Sequence, residues 1–321
     1  MTSPGAASAN GAPTPDAVVV DGGFYGPGSE AWRLNREAML LLGAGPRALL
    51  MQIAHPLVAA GVAQHSQFRE DPWVRLSGTL RSYLRIVYGS APAARDEIRR
   101  LHELHRGIRG DVADPEARER HGRRYSALDP ALSLWVHATL VDSTIAVYDR
   151  WIERLAHEDR ARYYAETLPV GQAFGIPAGL LPPDIDAFDD YVAGMLGPDG
   201  PVRVGDDARE LADAILHPPL GPAVAAAGPL MARAAPLFDA IPARAYGWLF
   251  WPSIGLLPAG VREGYGLPWG VRQRAVATWL VAAWQAWRPM LPPTFRQMPQ
   301  ALAADRRVGA GTPLLQAKSP A

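Results

Sequence analysis

The stretch "DPALSLWVHATLVDS", residues 129–143, decides how the rest of the chain is read. Asp129 and Pro130 form an N-cap and first-turn pair: the aspartate accepts a backbone N–H, and the proline sits where no donor is needed. The apolar residues that follow predict a long helix to about Leu155. In its middle stands His137, where a leucine would pack better. A buried imidazole with an unpaired nitrogen costs roughly 1–3 kcal/mol. His137 is therefore a satisfied core residue, a metal or cofactor ligand, or an acid/base group. Ser133, Val141 and Thr144 share its face, and their modest size leaves room for a planar ligand to lie over it.

Working outward, helical signals dominate. Ser29 caps a helix through "EAWRLNREAMLLL", with Arg33 and Glu37 spaced for an i,i+4 pair and "GAGP" (43–46) as its end. "RALLMQIAHPLVAAGVAQHS" resumes the helix, which Pro56 breaks or restarts. "WVRLSGTLRSYLRIVYG" and the charged "APAARDEIRRLHELHRGIRG" follow as helices, with further ones at about 160–173, 183–196, 207–216, 222–240 and 270–288. The one candidate strand is "AVVV" (17–20), and no repeat is visible. The expected fold is all-α: one helical domain of eight or more helices over residues 24–297, between a disordered N-terminal tail (1–23) and a loose C-terminal tail (298–321).

Composition narrows the chemistry. The chain has 321 residues and no cysteine, which excludes disulfides, iron–sulfur clusters, thiolate-bound haem and a thiol nucleophile. Lys+Arg and Asp+Glu are equal at 32 each, so the chain as a whole carries no electrostatic footprint for nucleic acid or an anionic membrane. The opening "MTSPGAASANGAPTPD" lacks the pattern of a signal peptide. The proline-broken run from Gly247 is shorter than the ~20 residues a membrane span needs. A cytoplasmic protein without a transmembrane segment is expected, its oligomeric state open.

Several motifs have ordinary explanations. "GAGP" lacks a preceding strand and a third glycine, so it is no dinucleotide fingerprint. His102 and His105 of "HELH" stand on neighbouring turns but among arginines on a solvated face. The acids of "DIDAFDD" (184–190) complement a helix dipole. Neither GxSxG nor HExxH is present. Six of the ten tryptophans lie between Trp248 and Trp287; core packing is the usual reason, an apolar ligand pocket the other. Arg75 and Thr79 stand at i,i+4, so a guanidinium and a hydroxyl project from one helix face, with Gly78 clearing space beside them.

Taken together, "LLMQIAHPLVAAGVAQHSQFREDPWVRLSGTLR", "YSALDPALSLWVHATLVDS", "FGIPAGLLPPDIDAFDDYVAGML" and "PAGVREGYGLPW" resemble the MpaB-like oxygenases, whose domain is shared with the rubber oxygenases (latex clearing proteins). The resemblance spans about residues 24–270. It implies a globin-like helical domain binding haem b, with His137 at the position of the proximal iron ligand and Arg75 and Thr79 at the distal positions. It further implies a haem-dependent oxygenase that activates dioxygen to oxidise, or cleave at a C=C bond, a small apolar substrate such as an isoprenoid. In that reading Arg75 stabilises bound oxygen or a carboxylate, and Thr79 hydrogen-bonds it.

There are departures. Some rubber oxygenases have a lysine where Gly78 stands, and "HPLVAAGVAQHS" offers no counterpart of their catalytic glutamate. His55 and His65 fall there instead: either can face the pocket as a cofactor contact, and His55, before Pro56, can equally cap a broken helix. The alternative function is a helical haem- or ligand-binding regulatory protein that keeps the fold without oxygenase turnover.

Overall fold

A computed structural model of the chain describes residues 23–65, 72–218, 221–222, 229–239, 241–242 and 245–309. The candidate strand at 17–20 lies outside them. Helices account for nearly all regular structure: α1 (Glu30–Asn35), α2 (Met39–Ile53), α3 (Pro56–His65), α4 (Pro72–Tyr88), α5 (Ala91–Arg106), α6 (Pro115–His121), α7 (Pro130–Trp151) and α8 (His157–Ala173). After them come α9 (Ile185–Leu196), α10 (Asp206–Leu216), α11 (Pro229–Asp239), α12 (Trp251–Gly255), α13 (Ala259–Gly264), α14 (Val271–Trp287), α15 (Pro293–Arg296) and α16 (Pro299–Arg307). A short antiparallel hairpin, β1 (Arg109–Asp111) with β2 (Arg124–Ser126), flanks α6. The all-α expectation holds.

Helix α7 is the spine. Asp129 accepts the Ala131 N–H at 2.9 Å, and Pro130 opens the first turn, as their sequence positions require. Its length and apolarity would suffice to cross a membrane, but most of that apolar stretch is buried inside the protein. Helix α2 lies against it at close range. A Cβ at Gly43 would fall 2.5 Å from Trp151 Cζ3 and 2.7 Å from Val147 Cγ1, so only glycine allows this approach. Buried Arg47 binds Asp142 at 2.6 Å, Ser143 Oγ at 2.8 Å and the Leu256 carbonyl at 2.9 Å. The Trp135 indole donates to the Met51 carbonyl at 3.2 Å. One core forms among α1, α4, α7, α8 and α16, and a second among α2, α10, α12, α13 and Trp135 of α7.

Three expectations about boundaries are corrected. "GAGP" does not end a helix: α2 runs through Gly43–Pro46, because the tight seam with α7 outweighs their low local propensity. The break falls instead at Arg36–Ala38, where the chain meets its own C-terminal region. Glu37 forms a β-bridge with Gln297, the Ala38 N–H donates to the Arg296 carbonyl at 2.8 Å, and the Met298 N–H donates to the Arg36 carbonyl at 2.7 Å. Arg36 pairs with Asp305, which also accepts the Trp32 indole N–H at 2.9 Å. The i,i+4 pair of Arg33 and Glu37 therefore does not form. Arg33 binds Glu30 at 2.6 Å, and Glu37 binds Arg288 at 2.6 Å.

The same contacts correct the loose tail from residue 298. Met298, Ala301 and Ala304 are core residues, and α16 is held by packing the sequence alone does not reveal. Residues 310–321 lie outside the described part. Core packing also fails to explain the tryptophans of α14: Trp279 and Trp287 are 64% and 62% exposed.

Candidate functional site

His137 lies two turns into α7, and its ring points toward α8. Its Nε2 is sealed from solvent and has no hydrogen-bond partner. Burial alone pulls its pKa down to about 4, so at neutral pH the ring is an uncharged imidazole. Across from it stands Gly171 of α8. A Cβ there would sit 3.4 Å from His137 Nε2, an ordinary contact, and a tight 3.2 Å from Leu181 Cδ2, so the glycine lets α8 pack close against the ring. The surroundings are apolar: Leu134, Ile176 and Leu181 form a small buried cluster, with Leu168 and Tyr191 packed on it. Tyr191 of α9 packs also on the neighbouring core, to which Leu76 of α4 belongs. Burial raises its hydroxyl pKa well above the ordinary value.

The C-terminal half of the same face is filled. Thr144, two turns beyond His137, is buried and hydrogen-bonds with Tyr83 and Tyr163. Tyr83 donates to Asn35 Oδ1 at 2.5 Å. A planar ligand over this face is thus restricted to the half bearing His137 and Ser133.

Arg75 and Thr79 lie one turn apart in the first half of α4, as the spacing requires. Thr79 is half-buried, and the Arg75 side chain is outside the described part of the structure. No atom lies within 4 Å of a Cβ built on Gly78, so the helix is open there. Tyr83, one turn beyond Thr79, is the residue through which α4 reaches Thr144 of the His137 helix.

His55 and His65 have other company. His55 is buried at the α2–α3 break, and its Nδ1 accepts the Leu57 N–H at 3.2 Å, which caps α3. Its ring lies 5.2 Å from that of His121, beside which a cavity of about 50 Å³ opens. Burial first, and the charge of His121 second, lower the His55 pKa to about 4. His65 meets the Arg109 carbonyl at 3.1 Å and the edge of Tyr125. His102 and His105 belong to no metal-holding group, since no cluster of three His, Asp or Glu of that kind occurs among the described residues. In "DIDAFDD", Asp184 caps α9 and Asp189 binds Arg160.

Sequence reasoning passed over Gly171, Leu181 and Tyr191. The signal available was a glycine inside the helical stretch "TLPVGQAFG", which marks a close approach as often as a weak helix.

A lone buried imidazole is a poor site for a bare metal ion, which needs several protein ligands. It suits haem, whose porphyrin supplies four nitrogens and leaves an axial position for one histidine. The orphaned Nε2 and the neutral ring fit that group as a donor.

A family model described as "ER-bound oxygenase mpaB/B'/Rubber oxygenase, catalytic domain" matches residues 32–287. Two relatives, each described only as an uncharacterised protein, one from Mycobacterium bovis and one from Mycobacterium tuberculosis, are 29% identical to this chain over 211 residues. The alignment covers 63% of this chain and 78% of each relative. No solved structure matches the chain.

Proposed function

Since the chain belongs to the mpaB and rubber oxygenase catalytic-domain family, we propose that it is a haem b-dependent oxygenase acting on a small apolar substrate with dioxygen. The observation that carries the reading is the buried, unpartnered Nε2 of His137. Such an atom costs roughly 1–3 kcal/mol unless something binds it, and a neutral imidazole nitrogen is a good axial ligand.

His137 would hold the iron through Nε2, with Gly171 of α8 packed beside the ring. When bound, haem supplies the redox chemistry of dioxygen activation. Leu134, Leu168, Ile176 and Leu181 exclude water and form a surface an apolar substrate can share. Arg75 stabilises negative charge developing on the reacting oxygen atoms, and Thr79 supplies a neutral hydrogen bond beside it. Gly78 carries no side chain that could act as a ligand, so α4 would offer the haem none at that position. Substrates with an accessible C=C bond, isoprenoids among them, suit this setting.

The test is reconstitution. Added hemin should give a Soret band at about one haem per chain, and the ferrous protein should bind carbon monoxide rapidly. Bound haem with no turnover of any unsaturated apolar compound would favour a ligand-binding or regulatory role. A protein that stays colourless with excess hemin would sink the cofactor assignment.

A further inference from the structure

The last long helix presents a surface that the oxygenase reading does not use. Of the 17 residues of α14, only Ala277 is buried, although the helix is mostly Val, Ala, Leu and Trp. Its inner side packs on α12 and the turn before it. Trp279 and Trp287 are nevertheless 64% and 62% exposed, and Met290 just beyond is 65% exposed. Beside Trp287, the exposed Leu42 and Leu249 border an apolar groove of about 300 Å³ that runs between α2 and α14. An apolar patch this continuous marks an interaction surface.

Charge says what covers it. Residues 241–300 contain six arginines and a single acid, Glu263, while the whole chain is neutral; Arg288 is answered by Glu37 and Arg296 is buried, which leaves the amino end of α14 as the exposed basic part. Arg272 and Arg274 are exposed at the amino end of α14, and among the described residues neither pairs with a carboxylate, though Arg274 donates to the Trp269 carbonyl at 3.2 Å. Arg272 lies 5.9 Å over the Trp251 ring, and Arg262 lies 5.4 Å over that of Trp269. A two-fold pair of this chain would bring the same patch against a copy of itself, which has no acid to answer Arg272 and Arg274. A negatively charged apolar surface meets both features: indole rings seat at a lipid–water boundary, and guanidinium groups meet phosphates.

We propose that the exposed side of α14, with Trp279 and Trp287 inserted and Arg272 and Arg274 reaching phosphates from either side of the helix, docks the protein on an anionic lipid bilayer. The attachment is peripheral, along the helix, and α7 stays in the core.

The experiment is co-sedimentation of the full chain with phosphatidylcholine vesicles, with and without phosphatidylglycerol; it needs neither haem nor turnover. The protein should partition onto the anionic vesicles with a blue shift of tryptophan emission. Trp279→Ser with Trp287→Ser should remove that shift and most of the binding. Arg272→Gln with Arg274→Gln should lower anionic binding by roughly tenfold or more, toward the neutral-vesicle level. All four side chains are exposed, so circular dichroism and melting temperature should stay unchanged. Without lipid, sedimentation velocity should report a monomer. Absence of partitioning, partitioning indifferent to these substitutions, or a lipid-free dimer that Trp279→Ser and Trp287→Ser dissolve would each overturn the proposal.

Discussion

Helix α7 runs 22 residues through the middle of the protein, and helix α14 runs 17 residues along its outside. Both are rich in Val, Ala, Leu and Trp. In α7 the rings of Trp135 and Trp151 are enclosed, and the one misfit polar residue, His137, faces inward without a partner. In α14 the polar residues Arg272 and Arg274 are ordinary surface groups, and the tryptophans are the misfits. Composition alone does not assign a helix its environment. The informative residue in each is the one that its surroundings leave unsatisfied: a buried nitrogen in α7, uncovered rings in α14.

The largest expected contrast concerns haem. His137→Ala should abolish haem retention, because it removes the proposed ligand while alanine keeps the helix; Trp287→Ala should leave the Soret band unchanged. Equal loss in both variants would erase the distinction between the two helices. Spectrophotometric hemin titration decides it.

Stability gives the next contrast. Trp151→Ala should cost about 3–5 kcal/mol in urea unfolding, since it empties the seam between α2 and α7. Trp279→Ser should change stability by no more than about 0.5 kcal/mol, as an exposed substitution does.

Acid should loosen the buried side first. In the haem-free protein, His55 and His137 both have pKa values lowered from 6.5 to about 4, in each case chiefly by burial. The unfolded chain therefore takes up these protons first as pH falls. Their contribution is fully present above about pH 6.5, is lost progressively toward pH 4 and levels off below; each is worth roughly 3 kcal/mol at most. Melting temperature followed over that range should fall, and His55→Asn, which keeps an acceptor for the Leu57 N–H, should reduce the slope. A flat profile between those limits would contradict the burial of both rings.

The smallest effect belongs to α4. Arg75→Ala should keep haem and lose about 10²–10³ in turnover. Thr79→Val should lose less, on the order of 1 kcal/mol for one neutral hydrogen bond. Steady-state rates on the reconstituted enzyme measure both.

Much of this was legible in the sequence because it rests on local chemistry. Asp129–Pro130, Ser29 and the His55–Pro56 break each fix a helix boundary with the residues that make it. The position of His137 on a face of small side chains was equally plain. What was not legible depends on distant partners. Gly43 reads as a helix stop until Trp151 is brought against it. The break at Arg36–Ala38 exists because residues 296–305 reach it. Gly171 belongs to the candidate site only through packing of α8 on α7. The charge of the α14 region was missed for another reason: a sum over the whole chain is zero, and only a window reveals the arginine excess.

The clasp between Arg36–Ala38 and residues 296–305 also sets a schedule. Trp32, Arg36 and Glu37 emerge from the ribosome early, but Asp305, Arg288 and Gln297 are made some 250 residues later. At bacterial and eukaryotic rates of about 5–20 residues per second, the first helix waits on the order of ten seconds or more for its partners. During that interval α7 and α2, which are complete much sooner, can already pair. The nascent chain therefore assembles its spine first and locks its beginning last, and a ribosome stalled before residue 296 would carry a bundle in which α1 rests on α4 and α8 but the break at Arg36–Ala38 lacks its clasp.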